Sequence, residues 1–321
     1  MNIKRAIGGF LLSFVFLIFF TYIISGLHVV LNNVQSGGEL LGNISVAAQN
    51  ILPADVNNNV VKNIVVPEDI KPEINAESAV SIESNLQRPG EYSNKIIFEK
   101  ESNTPRPIAS LTKLMTAIIV LDNPEGSYNF TDTAVVDNVA DSQDAMKQDV
   151  KLGDVLPIKS FLEIMLVESS NKAAYALSEL IGEEKFVGLM NKKAKELGLQ
   201  NTFFTDPTGL SSQDVSTAND LAKLAEYILK SNNYSKIAEI SGEKELFVPG
   251  FGNIVNTDQL LGEIPDIVCS KTGFTTAAKG CLLLVINNAK NNNYLINVIL
   301  GADDRFFEMR KLINYSSGIC K

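Results

Sequence analysis

The chain has 321 residues, 45% of them hydrophobic, with a formal charge of −9, three cysteines and a single histidine. This length suits one large domain or two small ones, and an acidic chain without a Lys/Arg block argues against a nucleic-acid partner. Three cysteines cannot all pair, which excludes a disulfide scaffold, and His28, lying in an apolar run, leaves no histidine further along for a Ser-His-Asp triad.

The chain opens with MNIKR, two positive charges, and residues 6–38 then contain no Asp, Glu, Lys or Arg. Roughly 20 apolar residues suffice to span a bilayer, and positive charge before the span predicts an N-terminus inside and the remainder outside. Residues 1–31 are therefore expected to form an uncleaved membrane anchor, in preference to a cleaved signal peptide, whose apolar region would be unusually long. The expected location is the cell membrane, with the folded part outside the cytoplasm, or secretion if the span is cut. Residues 32–72, including LPADVNNNVVKNIVVPEDIKP, hold no helical or strand period and read as a tether. Residues 73–321 read as the folded domain.

Within it, SAVSIE and KIIFEK read as strands joined by the Pro-Gly-containing SNLQRPGEYSN. Pro105 and Pro107 precede a helix predicted over residues 110–121, with Leu111, Leu114, Met115 and Ile118 on its apolar face. SFLEIMLV and NKAAYALSELIG are helical runs broken at Glu168-Ser169-Ser170. EEKFVGLMNKKAKELGL is a third helix, with Gly198 as its stop signal. After the turn-rich TDPTGLSSQDV, Ser216 or Thr217 can cap ANDLAKLAEYILK. DIVCSKTG, CLLLVINN and YLINVILG read as successive strands, with Cys269 and Cys281 facing each other or simply buried, and DRFFEMRKLINYS closes as a helix. Strands at both ends with helices between predict one sheet made from N- and C-terminal segments and a separate helical lobe, an α/β (α+β) fold.

Ser-x-x-Lys occurs three times, at Ser110, Ser169 and Ser241. Ser110 is set apart by its place at the predicted start of an apolar helix, where N–H groups favour developing negative charge. Lys113 is about one turn on, and a lysine desolvated there becomes a neutral amine able to take the serine proton. Ser169-Ser170-Asn171 falls at the helix break, and Lys271-Thr272-Gly273 ends a strand, where a glycine leaves room for a substrate backbone.

In this order the three motifs resemble those of the penicillin-recognising serine enzymes. RPIASLTKLMTA, NTFFTDPTGL, STANDLAKLAEYIL and KTGFTTAAKGCLLLV are similar, within that group, to the low-molecular-mass D-alanyl-D-alanine carboxypeptidases. The resemblance covers about residues 75–316. It implies a β-lactamase/transpeptidase-like fold, a central antiparallel sheet flanked by helices. It implies peptidoglycan stem peptides ending in D-Ala-D-Ala as substrate, β-lactams as covalent inhibitors, and neither cofactor nor metal. Carried onto this sequence, Ser110 is the expected nucleophile, Lys113 its base and Ser169 the proton relay to the leaving amine. Asn171 is expected to hold the substrate amide, Lys271 to supply positive potential, and Thr272 and Arg305 to bind the terminal carboxylate. The N–H groups of Ser110 and Phe274, next to Gly273, are the expected oxyanion hole. Two departures stand out. Lys279 adds a charge after the KTG turn, and the sequence closes near the last helix where many members continue into a β-rich domain and an amphipathic helix, so the N-terminal span is expected to anchor instead. The alternatives are a D,D-endopeptidase, a serine β-lactamase, which lacks a well-spaced glutamate (Glu196 is the nearest), and a non-catalytic wall-binding module.

Overall fold

The computed structural model describes residues 71–85, 94–124, 126–143, 149–288 and 293–319. The expected anchor and tether, up to residue 70, lie outside the described residues, as does most of the linker between the first two strands. Five strands form the main sheet: β1 (Ser78–Ser84), β2 (Lys95–Lys100), β9 (Ile267–Thr275), β10 (Lys279–Asn288) and β11 (Asn293–Ala302), in the order β2-β1-β11-β10-β9 and antiparallel throughout. Val80 of β1 pairs with Val298 of β11, so the two ends of the domain close one sheet, as the strand pattern predicted.

CLLLVI in β10 does not alternate because both faces of the sheet are covered. Cys281, Leu283 and Val285 enter the core shared with the helical lobe, whereas Leu282 and Leu284 pack beneath the closing helix α8 (Arg305–Ile319) with Ile299, Met309 and Leu312. The lobe contains α1 (Lys113–Asp122), α2 (Asn138–Asp141), α3 (Ile158–Val167), α4 (Asn171–Ser178), α5 (Glu183–Glu196), α6 (Ala218–Lys230) and α7 (Ser235–Ser241). Of these, α1 is buried at every position from Lys113 to Val120, with Lys113 and Thr116 its only polar side chains in that run, which marks it as the central helix rather than a one-faced surface helix.

Three short ladders went unread in the sequence: β3 (Arg106–Pro107) with β6 (Val215–Ser216), β4 (Thr133–Val135) with β5 (Val155–Pro157), and the hairpin β7 (Glu245–Val248) with β8 (Gly252–Val255). Two- to four-residue strands carry too little alternation to be recognised. One of them matters directly: β3–β6, continued by Ile108 N donating to Asp214 O at 3.1 Å, fastens the approach to Ser110 onto the loop that follows α5. The facing of Cys269 and Cys281 is corrected by the register. Cys269 pairs with Val285 and Cys281 with Gly273, and both are buried free thiols. Among the described residues, no helix is long and apolar enough to cross a membrane.

Candidate active site

Ser110 does not open an α-helix. It lies in a 3-10 turn, Ala109–Thr112, that feeds α1 at Lys113, and Ala109 just before it has φ +48°. A second non-glycine residue in the left-handed region is Ser169, at φ +64° between α3 and α4. Such backbone costs on the order of 1–3 kcal/mol and persists only where surrounding packing over-determines it. Here it accompanies two serine–lysine contacts, Ser110 with Lys113 of α1 and Ser169 with Lys271 of β9.

Lys113 is fully buried. Its Nζ lies 2.8 Å from Ser110 Oγ, 2.7 Å from Asn171 Oδ1 and 2.8 Å from the carbonyl of Thr208. Two of these partners only accept, so they take two N–H bonds, and a neutral amine then presents its lone pair to the Ser110 hydroxyl. Burial pushes the Lys113 pKa down to about 7, against the opposing pull of Asp206, Asp149 and Asp214.

The second motif divides its labour. Ser170 caps α4, accepting from Ala173 N at 3.0 Å and donating to Asp149, while Asn171 in the first turn reaches Lys113. Ser169 Oγ accepts from Lys271 Nζ at 2.8 Å, which leaves its own proton free to donate. Lys271, 1% exposed on β9, also donates to Thr272 O at 3.2 Å. Its pKa is held well below the ordinary lysine value by burial and by the cations Lys113 and Arg305.

Gly273 has a different reason from the one read in the sequence. A Cβ there would lie 3.0 Å from Ala109 Cβ, Ile108 O and Ser110 N, so the glycine lets β9 close against the nucleophile turn itself. Phe274 follows with its ring exposed at the rim. The Thr272 side chain, 3% exposed, shares a hydrogen bond with Thr257 Oγ1. Arg305, the first residue of α8, is not a free surface side chain. Its Nη1 donates to Gly273 O at 3.4 Å, and its Nε is buried without a hydrogen-bond partner. Gly280 permits this, since a Cβ would meet Arg305 Cβ at 3.1 Å and Ala302 O at 2.7 Å. The extra charge of Lys279 is met by Glu77 at 3.4 Å and Asp303 at 3.7 Å. Glu196 is exposed at the end of α5, near Lys193 at 3.6 Å.

In the sequence TDPTGL reads as a turn and as part of the family resemblance, with no residue of it placed in the site. Asp206 Oδ1 accepts from Thr208 N and Thr208 Oγ1, both at 2.6 Å, and from Gly209 N at 2.7 Å, while its Oδ2 accepts from Ser211 N at 2.8 Å. This holds the Thr208 carbonyl towards Lys113. Asp214, fully buried, receives Thr205 N at 2.6 Å, and burial beside Asp206 raises its pKa to about 6. An Asp-Pro-Thr-Gly run is a turn signal in any protein, so nothing local assigned Asp206, Thr208 or Gly209 a role beside Lys113.

The family of D-alanyl-D-alanine carboxypeptidases matches residues 65–304 of the chain. The chain belongs to this family. Among curated carboxypeptidase relatives, D-alanyl-D-alanine carboxypeptidase DacF of Bacillus subtilis is 32% identical over 75% of the chain and 62% of its own length. A D-alanyl-D-alanine endopeptidase of Escherichia coli is 35% identical over 71% of the chain and 73% of its own length. The chain thus spans about three fifths to three quarters of these two relatives. The D-alanyl-D-alanine carboxypeptidase structure from Mycobacterium tuberculosis superposes with a TM-score of 0.65 at 26% identity, covering 77% of the chain and 92% of that structure.

Proposed function

We propose that the chain is a serine D-alanyl-D-alanine carboxypeptidase that trims peptidoglycan stem peptides through an acyl-enzyme. The observation that carries this reading is the hydrogen-bond set of Lys113, whose geometry suits a neutral amine beside Ser110. Ser110 Oγ attacks the carbonyl between the two terminal D-alanines as its proton passes to Lys113 Nζ. The tetrahedral oxyanion is met by the N–H groups of Ser110 and Phe274, which the close packing of Gly273 on the nucleophile turn brings near one another. The C–N bond then breaks. Ser169, its oxygen held by Lys271, gives its proton to the departing amine and regains the one that Lys113 took from Ser110, so that Lys113 ends neutral and Lys271 stays an ammonium. Asn171 orients the acyl-side amide. Arg305, Lys271 and the Thr272 hydroxyl meet the terminal carboxylate, for which the unsatisfied Arg305 Nε is a ready donor. Water completes the cycle by cleaving the ester at Ser110, and β-lactams acylate the same oxygen.

The test is incubation with a pentapeptide ending in D-Ala-D-Ala and mass measurement for loss of one alanine, beside Ser110-dependent labelling by a fluorescent penicillin. Absence of both products from the folded protein overturns the reading. The E. coli relative supports a second one, endopeptidase action on cross-linked muropeptides, which a cross-linked dimer substrate separates from the first. The N-terminal apolar run is proposed to anchor the chain with this domain outside the cytoplasm. Loss of the domain to protease added to intact cells is the expected result, and full protection counts against it.

The pH dependence follows from Lys113. Because the base must be neutral, the acylation rate is expected to rise with pH through about 7. Glu168, beside Ser169, titrates in the same region, since burial raises its carboxyl to about 7. The limb should therefore stay in place in Glu168→Gln; a limb that moves with that substitution assigns the titration to Glu168 instead. The same Lys113 displacement makes the unfolded chain bind more protons between pH about 7 and 10.5, so this group's contribution to stability rises across that window.

A further inference from the structure

Residues 256–258, between β8 and β9, belong to none of the three motifs, yet they touch the third at Thr272 and the end of α3 just before the second. Thr257 N donates to Val167 O at 3.2 Å, two residues before Ser169, and its hydroxyl is the partner of Thr272. Asn256 pins the segment from the other side, its Nδ2 donating to Ser241 O at 3.1 Å and its Oδ1 accepting from Asp258 N at 2.9 Å.

Asp258 comes next, 2% exposed, with a carboxylate that accepts from Ser270 Oγ and from Leu260 N at 2.9 Å. Both donors are neutral, and Asp258 forms no ion pair among the described residues. A buried carboxylate so placed is costly unless nearby charge compensates it. The compensation lies across β9. Ser270 and Lys271 are consecutive on the strand, so their side chains take opposite faces, and Asp258 sits behind the strand that carries Lys271. Lys271 in turn has only neutral hydrogen-bond acceptors, Ser169 Oγ and Thr272 O, and faces the amine of Lys113 from α1 and the guanidinium of Arg305 from α8. Asp258 is the carboxylate whose field opposes both.

We propose that Asp258 is a positioning residue whose charge, held behind β9 by Ser270, keeps Lys271 an ammonium and so sets the alkaline limit of acylation. This rests on the reading of Lys271 as the site's cation. The field acts mutually, for Lys271 and Arg305 both favour the ionised form of Asp258 against its burial.

Acylation by a fluorescent penicillin, followed across the pH range on the full chain, tests it. Asp258→Asn keeps the side-chain shape and removes the charge. The alkaline limb is expected to fall by about one pH unit, in line with the loss of a close opposite charge. The acid limb should stay, since the carboxylates acting on Lys113 are Asp206, Asp149 and Asp214. Ser270→Ala keeps the charge and should leave the alkaline limb near its wild-type position. If Asp258→Asn does not fold, Asp258→Ser removes the same charge and leaves room for water. An unmoved alkaline limb in the charge-removed variant, or an equal shift in Ser270→Ala, overturns the proposal. Wild-type protein that fails to label at all overturns the enzymatic reading instead.

Discussion

Lys113→Arg is expected to lower the acylation rate by about 10³-fold or more, because a guanidinium stays protonated and cannot accept the Ser110 proton. Lysine at this position is poised by burial. Its pKa near 7 leaves an appreciable neutral fraction at neutral pH, whereas arginine in the same place leaves essentially none. Arginine is also larger, and the site is fully buried, so overpacking on the order of 1–3 kcal/mol accompanies the chemical loss. Lys113→Met separates the two effects: its unbranched chain fits the same channel with no added bulk and no amine. Both variants, checked for folding by circular dichroism, should fail to take up a penicillin label. Near-normal acylation in either would show that the proton leaves Ser110 by another route.

Gly209→Ala is expected to damage the site from beneath without touching any motif residue. Gly209 has φ +85°, and a Cβ added there would lie 1.9 Å from Ala109 O and 2.8 Å from Thr112 Oγ1. Neither neighbour can yield cheaply, since one is backbone of the nucleophile turn and the other is held in the buried Asp214 network at 3.4 Å. Left-handed backbone and a backbone clash together suggest a loss on the order of 3 kcal/mol, or about 10 °C in Tm for a domain of this size. Acylation should fall with it, because the Thr208 carbonyl that orients Lys113 is the residue before. A variant with wild-type Tm and wild-type acylation would mean that the turn and the loop separate without consequence.

These two positions were not equally readable. Lys113 was legible because the reaction needs a base for Ser110 and the spacing of one helical turn supplied it. Ser169, Asn171 and Lys271 were legible through the order of the motifs. Gly209 was not, because TDPTGL has the composition of any tight turn, and its role arises from contact with residues about a hundred positions earlier. Gly273 was noticed for a different reason: the contact that requires it is with Ala109 and Ser110, not with solvent or a ligand. Asp258 left no trace in the pattern at all, since a single acidic residue in a loop is ordinarily solvated, and only burial behind β9 changes its meaning.

The sequence by itself determined the order of the five main strands and the longer helices, the apolar run CLLLVI that must be covered on both faces, and the three polar motifs that break the apolar pattern. These are local properties, expressed in periodicity and in residue type. The tertiary structure alone decided that Ser110 sits on a 3-10 turn rather than an α-helix, that Ser170 caps while Ser169 faces Lys271, and that the Thr208 carbonyl and Asn171 share the amine of Lys113. Each of those depends on which distant segments meet and on how completely they exclude water. Desolvation, which turns Lys113 from a surface cation into a base, is a property of the closed fold and of no stretch of chain within it.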